Sequence, residues 1–252
     1  RFRAGGTALA AGTLSAPGFS WHGLSRGLAW AKANTTSLLF GITLFIYLLT
    51  RLISLDVFPI YFFTDEAVQT VLAADFVRDG FRSYDNELFP TYFVNGNQYN
   101  LSVSVYLQVL PYLLFDKSIW VTRGVSVLVS LLAVGSVSLL LKNVFKLRHY
   151  WLGALFLSIT PAWFLHSRTA FETVLAASFY AAFLFCYLLY RTRSPRWLFA
   201  AAGFGALTFY AYSPAQLVVG VTALGLFFSD LRYHWQQRKT VLAAFGLTLL
   251  LA

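Results

Sequence analysis

The sequence predicts an all-α, polytopic membrane protein, and three observations carry that reading. Of 252 residues 58% are hydrophobic and only 12% charged, whereas a soluble domain carries about a quarter charged residues. Phe (25), Tyr (14) and Trp (7) are abundant, as expected where rings sit at lipid interfaces. Apolar runs recur near the roughly 20 residues that a helix needs to span hydrocarbon. Helix is the open-ended solution in lipid, because each segment must satisfy its own backbone polar groups.

The expected spans are Thr36–Leu55, Ile119–Leu141, Tyr150–His166, Phe171–Tyr190, Trp197–Tyr212 and Pro214–Ser229, with a seventh starting at Thr240. The chain starts at Arg1, contains no Met and stops inside the apolar run Thr240 to Ala252; it reads as a piece of a longer protein. The net charge of +9 does not point to nucleic acid, because the basic residues are spread over short connections without a polar, aromatic-studded face. Cys186 stands alone in an apolar stretch, which excludes a disulfide framework or a Cys-based metal site. No internal repeat is evident.

Basic residues set the orientation. Arg1, Arg3, Arg26 and Lys32 precede the first span, and Lys142/Lys146/Arg148, Arg191/Arg193/Arg196 and Arg232/Arg238/Lys239 fill alternate connections. All fall on one side if the N-terminus is cytoplasmic. Residues 1–35 then form a basic cytoplasmic or interfacial segment, with Trp21 and Trp30 at the interface, and 36–252 the transmembrane domain. Its outer loop, 56–118, holds eight of the ten acids against Arg78, Arg82 and Lys117. The expected location is a bacterial plasma membrane rather than the ER.

Within the outer loop, Thr64 is placed to cap a helix whose first residues, Asp65 and Glu66, suit its positive end. Val68, Val71, Leu72 and Phe76 follow at helical spacing, and Gly80 marks a stop. A polar stretch, Phe81 to Asn100, leads to a second amphipathic helix, Leu101–Phe115, interrupted by Pro111. Both helices are expected to lie along the outer face.

Four constellations could carry chemistry. Asp65-Glu66, walled by Phe58 to Phe63, is a candidate general base, since a carboxylate among aromatics at a membrane surface holds its proton more tightly; two acids at a helix N-terminus also simply stabilise that helix. Arg51, Arg123, His166 and Arg168 mark the outer ends of spans, where ionisable groups default to function. Arg51 lies a turn or two from Asp56 and Arg168 one turn from Glu172. Several arginines beside an acid pair suit a lipid-linked phosphate held next to a base, although snorkelling or pairing explains each one singly. Asp85-Asn86-Glu87 is a secondary candidate for a divalent cation through oxygen ligands, against the ordinary fate of loop acids, solvation. Tyr210-Ala211-Tyr212-Ser213-Pro214 is an outer turn at which Tyr212 could face a sugar or merely anchor the interface.

Read in order, these residues resemble a known family. Thr50-Arg51-Leu52-Ile53, Pro59 and Thr64-Asp65-Glu66-Ala67 resemble the first span and outer loop of protein O-mannosyltransferase-like enzymes of the GT-C superfamily, relatives of the aminoarabinose transferases. Tyr99–Phe115, Trp120-Val121-Thr122-Arg123, His166 to Glu172 and Phe209 to Pro214 continue the likeness. It covers most of residues 45–252, and departs from the family at Asn97-Gln98-Tyr99-Asn100, where a Lys-Pro-Pro-like turn is common. The resemblance implies a GT-C-like fold of about six to seven transmembrane helices with surface helices in the first outer loop. It further implies transfer of a hexose or pentose from a polyprenyl-phosphate carrier to a non-cytoplasmic acceptor. Asp65 would be the base and Glu66 its support, with Arg51, Arg123, His166, Arg168, Glu172 and Tyr212 binding substrate. The alternative is a non-catalytic GT-C-like subunit of a larger membrane complex. A transporter is disfavoured, because the span interiors are almost purely apolar.

Overall fold

The computed structural model describes Trp30 and residues 32–251. Expectations resting on Arg1, Arg3, Trp21, Arg26 and Ala252 lie outside the described residues. The chain is mostly helical. Helix α1 (Thr35–Leu52) is followed by the acid-rich segment, with α2 (Thr64–Arg78), β1 (Tyr92–Asn95), β2 (Gln98–Leu101) and α3 (Ser102–Phe115). Then come α4 (Ile119–Asn143), α5 (Trp151–Ile159), α6 (Pro161–His166), α7 (Glu172–Thr192), α8 (Trp197–Phe209), α9 (Ser213–Ser229), α10 (Leu231–Gln236) and α11 (Arg238–Leu251). Helices α1, α4 and α7 are long and apolar enough to cross a membrane, while α3, α8 and α9 are apolar and shorter.

Four local expectations need correction. The chain is not all-α: β1 and β2 pair antiparallel from Tyr92↔Leu101 to Asn95↔Gln98, inside the stretch read as merely polar. Gly96, at φ +60, opens the two-residue turn, where a left-handed first residue matches the twist of the strands. The hairpin is held down by Phe93, whose ring meets Phe76 at 5.3 Å and Tyr106 at 5.8 Å. Second, the expected span Tyr150–His166 is broken, because Thr160 is extended (ψ 115) and Pro161 starts α6; the residue before proline is driven out of the helical region. Third, α3 runs through Pro111, which removes one ladder donor without ending the helix. Fourth, Phe63 rather than Thr64 occupies the N-cap of α2.

The packing order follows from small and polar residues on the facing surfaces. Helix α7 lies between α4 and α8, and α1 packs on α4 and α5. The buried face of α4 presents Ser126, Ser130, Ala133, Ser136 and Ser138, the small side chains that let helices approach where no water drives association. Tyr47 on α1 donates to Ser130 Oγ at 2.8 Å and accepts from Trp163 Nε1 at 3.0 Å, tying α1, α4 and α6. The connections divide between two ends. At one end the 53–63 loop, α2 and the 166–171 turn interlock. At the other, Arg193 donates to Asn143, Tyr150 to Ser37, and Tyr187 with Arg191 to Asp230.

Helices approach closely at Gly153, where an added Cβ would sit 3.0 Å from Leu141 Cδ1 and 3.3 Å from Ser138 Cα, whereas one at Gly135 would meet nothing within 4 Å. Gly153→Ala is therefore expected to destabilise by about 1–3 kcal/mol through overpacking. Gly135→Ala is expected to be neutral or to gain up to about 1 kcal/mol of helix propensity. Thermal unfolding of the two variants in detergent or nanodiscs checks the contrast.

Candidate functional site

Helix ends at a membrane boundary leave four carbonyls or four amides each without partners, and water is scarce there. The end of this protein at which the 53–63 loop, α2 and the 166–171 turn interlock meets that demand with arginine. Arg168, from the α6–α7 turn, donates from Nη1 to the carbonyls of Thr50 (2.6 Å) and Arg51 (3.0 Å) in the last turn of α1. Its Nη2 reaches Ile53, Ser54 and Phe58. A cation at the negative end of a helix is stabilised by the helix dipole. Arg51 performs the same service for α5, donating from Nη2 to the carbonyls of Leu157 (3.1 Å) and Ser158 (3.0 Å). These are the carbonyls freed by the break at Pro161. Its guanidinium also lies 4.0 Å from the ring centre of Tyr47, a cation–π contact.

Arg123, fully buried in α4, holds the loop itself. Nη1 donates to Leu55 and Pro59 (both 3.0 Å) and Nη2 to Tyr61 (2.8 Å). Nε and Nη2 grip the two oxygens of Glu66 at 2.9 and 3.0 Å. Both partners of this fork are 0% exposed. Glu66 uses its remaining capacity on two backbone amides, Phe63 at the start of α2 and Ala170 just before α7. The neighbouring Gln69 donates to the Ala170 carbonyl at 2.6 Å. A buried carboxylate so saturated is a structural keystone, and neither of its oxygens is left to work on a substrate. Burial, and then the charges of Arg123 and Arg51, press the Arg168 guanidinium below its ordinary range, which marks how tightly the three arginines converge.

The five N–H donors of Arg123 and of Arg168 are all directed at this chain's own oxygens, and Arg51 retains one. The fold thus brings Arg51, Arg123, Arg168 and Glu66 together as expected, but as the scaffold of the 53–63 loop. Asp65 has the opposite situation. It is exposed and, among the described residues, its carboxylate has no hydrogen-bond or ion-pair partner.

Glu172, first residue of α7, lies close enough for the Asp65 charge to act on it. Its Oε1 accepts from Asn100 Nδ2 (3.1 Å) and Ser104 Oγ (3.2 Å), and Asn95 Nδ2 in turn donates to Asn100 Oδ1 (3.2 Å). Among the described residues Glu172 Oε2 has no such partner. His166 is exposed, with an unbonded imidazole 6.4 Å from the Phe171 ring, which pairs with Phe63 at 5.7 Å. Tyr212, N-cap of α9, shares with Thr173, the neighbour of Glu172, the wall of a cavity of about 270 Å³. This end therefore offers two carboxylates and an imidazole with atoms that have no partner among the described residues, floored by a guanidinium frame. Asp85 and Glu87 stand apart on an exposed turn bridged from Arg82 to Leu88. Among the described residues no three His, Cys, Asp or Glu side chains gather as a metal site needs.

Sequence reasoning missed Asn100 and Ser104. Asn100 was visible only as part of a departure from a common turn, and nothing in the spacing distinguishes Ser104 from the other serines of α3.

Removing one partner of a buried ion pair strands the other charge. Arg123→Met and Glu66→Leu are each expected to destabilise by about 3–5 kcal/mol. The double variant should cost less than the sum, because each charge is then spared its unpaired partner. Unfolding of the four proteins in one lipid environment measures the coupling.

Residues 102–252, more than half of the chain, match the family described as dolichyl-phosphate-mannose-protein mannosyltransferase. Among curated proteins and solved structures, none matches the chain. The matched segment contains Arg123, Arg168, Glu172 and the α4–α7–α8 packing, whereas Arg51, Asp65 and Glu66 precede it; the chain belongs to the dolichyl-phosphate-mannose-protein mannosyltransferase family, membrane glycosyltransferases of the GT-C type.

Proposed function

We propose that this protein transfers a sugar from a polyprenyl-phosphate carrier to a hydroxyl acceptor on the non-cytoplasmic side of the membrane, with Asp65 as general base. The observation that carries the proposal is the contrast between adjacent acids. Glu66 is locked by Arg123 and two backbone amides, while Asp65, one residue away, is exposed and unpartnered on the same rigid helix start. A base must be free to accept a proton and fixed in direction, and this arrangement supplies both. The acceptor oxygen attacks the sugar C1, its proton passes to Asp65, and the bond from C1 to the carrier phosphate breaks, with inversion at C1.

The other free atoms take the remaining roles. Glu172 Oε2 faces the reacting sugar or acceptor, and His166 is the imidazole available to the carrier phosphate. Arg51, Arg123 and Arg168 act on the substrate indirectly, by fixing the 53–63 loop. Tyr212 lines the side of the site beyond α7. The lipid carrier reaches the site from the bilayer, in which six to seven segments span with the N-terminus cytoplasmic. The clustering of the acid-rich loop at one end and the basic connections at the other supports that topology.

Asp65→Asn is expected to cut transfer from a polyprenyl-phosphate sugar by about 10²–10⁴-fold while leaving thermal stability within about 0.5 kcal/mol of wild type, since the side chain supports no contact. Transfer at wild-type rate in this variant defeats the assignment. Asp85→Asn is the matched control, expected to change neither quantity.

A further inference from the structure

We propose that the slot between β1, the C-terminal half of α2 and the turn at 82–84 binds an extended segment of polypeptide by strand addition, and that it is the docking site of the acceptor chain. The slot encloses about 410 Å³ and is lined by Leu72, Asp75, Asp79, Arg82, Phe93 and Val94 among others. Phe93 and Val94 are consecutive strand residues, so their side chains point to opposite faces. A cavity that touches both runs along the edge of the strand and not over one face of it. That edge is open: among the described residues the sheet has two strands, and β1 pairs only with β2. None of the backbone amides or carbonyls of Tyr92–Asn95 bonds to any other described segment. An unpaired edge inside a slot is a template for a further strand.

The surroundings select the occupant. Phe76 and Phe93 form an apolar floor for alternate side chains, and Asp75 and Asp79 flank the opening, sharing Arg78 between them at 2.7 and 2.9 Å. Within the slot Asp75 and Asp79 are matched by Arg78 and Arg82. Complementarity therefore favours a peptide segment of little net charge. A saccharide would use the rim but leave the strand edge without partners.

The slot also communicates with the reaction centre. Asp75 follows Asp65 by ten helical residues, roughly 15 Å at the helical rise, a distance covered by about five residues of extended chain. The hairpin that gives its edge to the slot gives Asn95 and Asn100 to the chain of hydrogen bonds ending on Glu172. A peptide seated on β1 thus lies on the same rigid element that orients the site. This inference rests on the transferase reading for the role of the bound peptide, but binding itself does not.

The test uses the whole protein in nanodiscs and three probes: a dansylated octapeptide of alternating threonine and valine with one lysine, the same peptide N-methylated at alternate amides, and mannobiose. Saturable binding of the first peptide is expected, weakened at least about tenfold by N-methylation, which removes strand-pairing donors. Val94→Pro, which removes an edge amide, should weaken binding of the unmethylated peptide while thermal unfolding of the variant stays cooperative. Equal binding of both peptides, binding of neither, or displacement of the peptide by mannobiose overturns the strand-addition site, as does undiminished binding by a folded Val94→Pro protein. Because binding is read without turnover, a peptide that binds but is never glycosylated refutes the transferase reading and not the slot.

Discussion

The end of this protein that carries the 53–63 loop is organised by the need to satisfy helix termini where water cannot. Carbonyls at the ends of α1 and α5 and along the 53–63 loop receive guanidinium donors, because arginine alone offers five N–H groups in a fixed fork. Three buried cations in one neighbourhood would repel one another. At Arg168 burial first, and then the charges of Arg123 and Arg51, disfavour the charged guanidinium. Two things offset it: the negative ends of helix dipoles, which Arg51 and Arg168 face, and the single buried carboxylate of Glu66. Removing water from both partners of the Arg123–Glu66 fork costs several kcal/mol per ion. The cost is met by geometry, since every oxygen and every nitrogen of the fork has a partner.

From that constraint follows the division of labour between two adjacent acids. Consecutive residues on a helix differ by about 100° in direction, so Glu66 and Asp65 cannot both face the arginine. One is turned inward and spent, and the other is turned outward and free. A carboxylate held by its own backbone and not by side-chain contacts, as that of Asp65 is, can change protonation without disturbing the frame. The same logic separates the two oxygens of Glu172, one anchored by Asn100 and Ser104 and one open.

Much of this was legible in the sequence. The apolar runs marked α1, α4, α7, α8 and α9 nearly to their ends, because exclusion from water writes itself into composition. Thr160-Pro161 carried the signal for the broken helix, and the length of the apolar run outweighed it. Gly96-Asn97 between aromatic and β-branched residues carried the hairpin signal, obscured by the polarity around it. That Arg51, Arg123 and Arg168 converge was also legible, since each sits at the same end of its span. What spacing does not encode is the direction of their donors. A phosphate and a set of stranded carbonyls make the same demand on a guanidinium, and only coordinates tell which oxygens are within reach.

That ambiguity has a physical consequence for how the site should be understood. If the arginines were held by substrate, the 53–63 loop would depend on the ligand for its shape, and the base would be placed only when the carrier was bound. With the donors engaged internally, the loop and the start of α2 are fixed beforehand. Preorganisation of this kind puts the cost of ordering into folding and removes it from the reaction. The hairpin extends the same principle outward, since a two-stranded ribbon is marginal by itself and persists here because Phe93 is buried against Phe76 and Asn100 is bonded to Glu172. An element stabilised by the site is thereby positioned relative to it, and anything that rests on its free edge inherits that position.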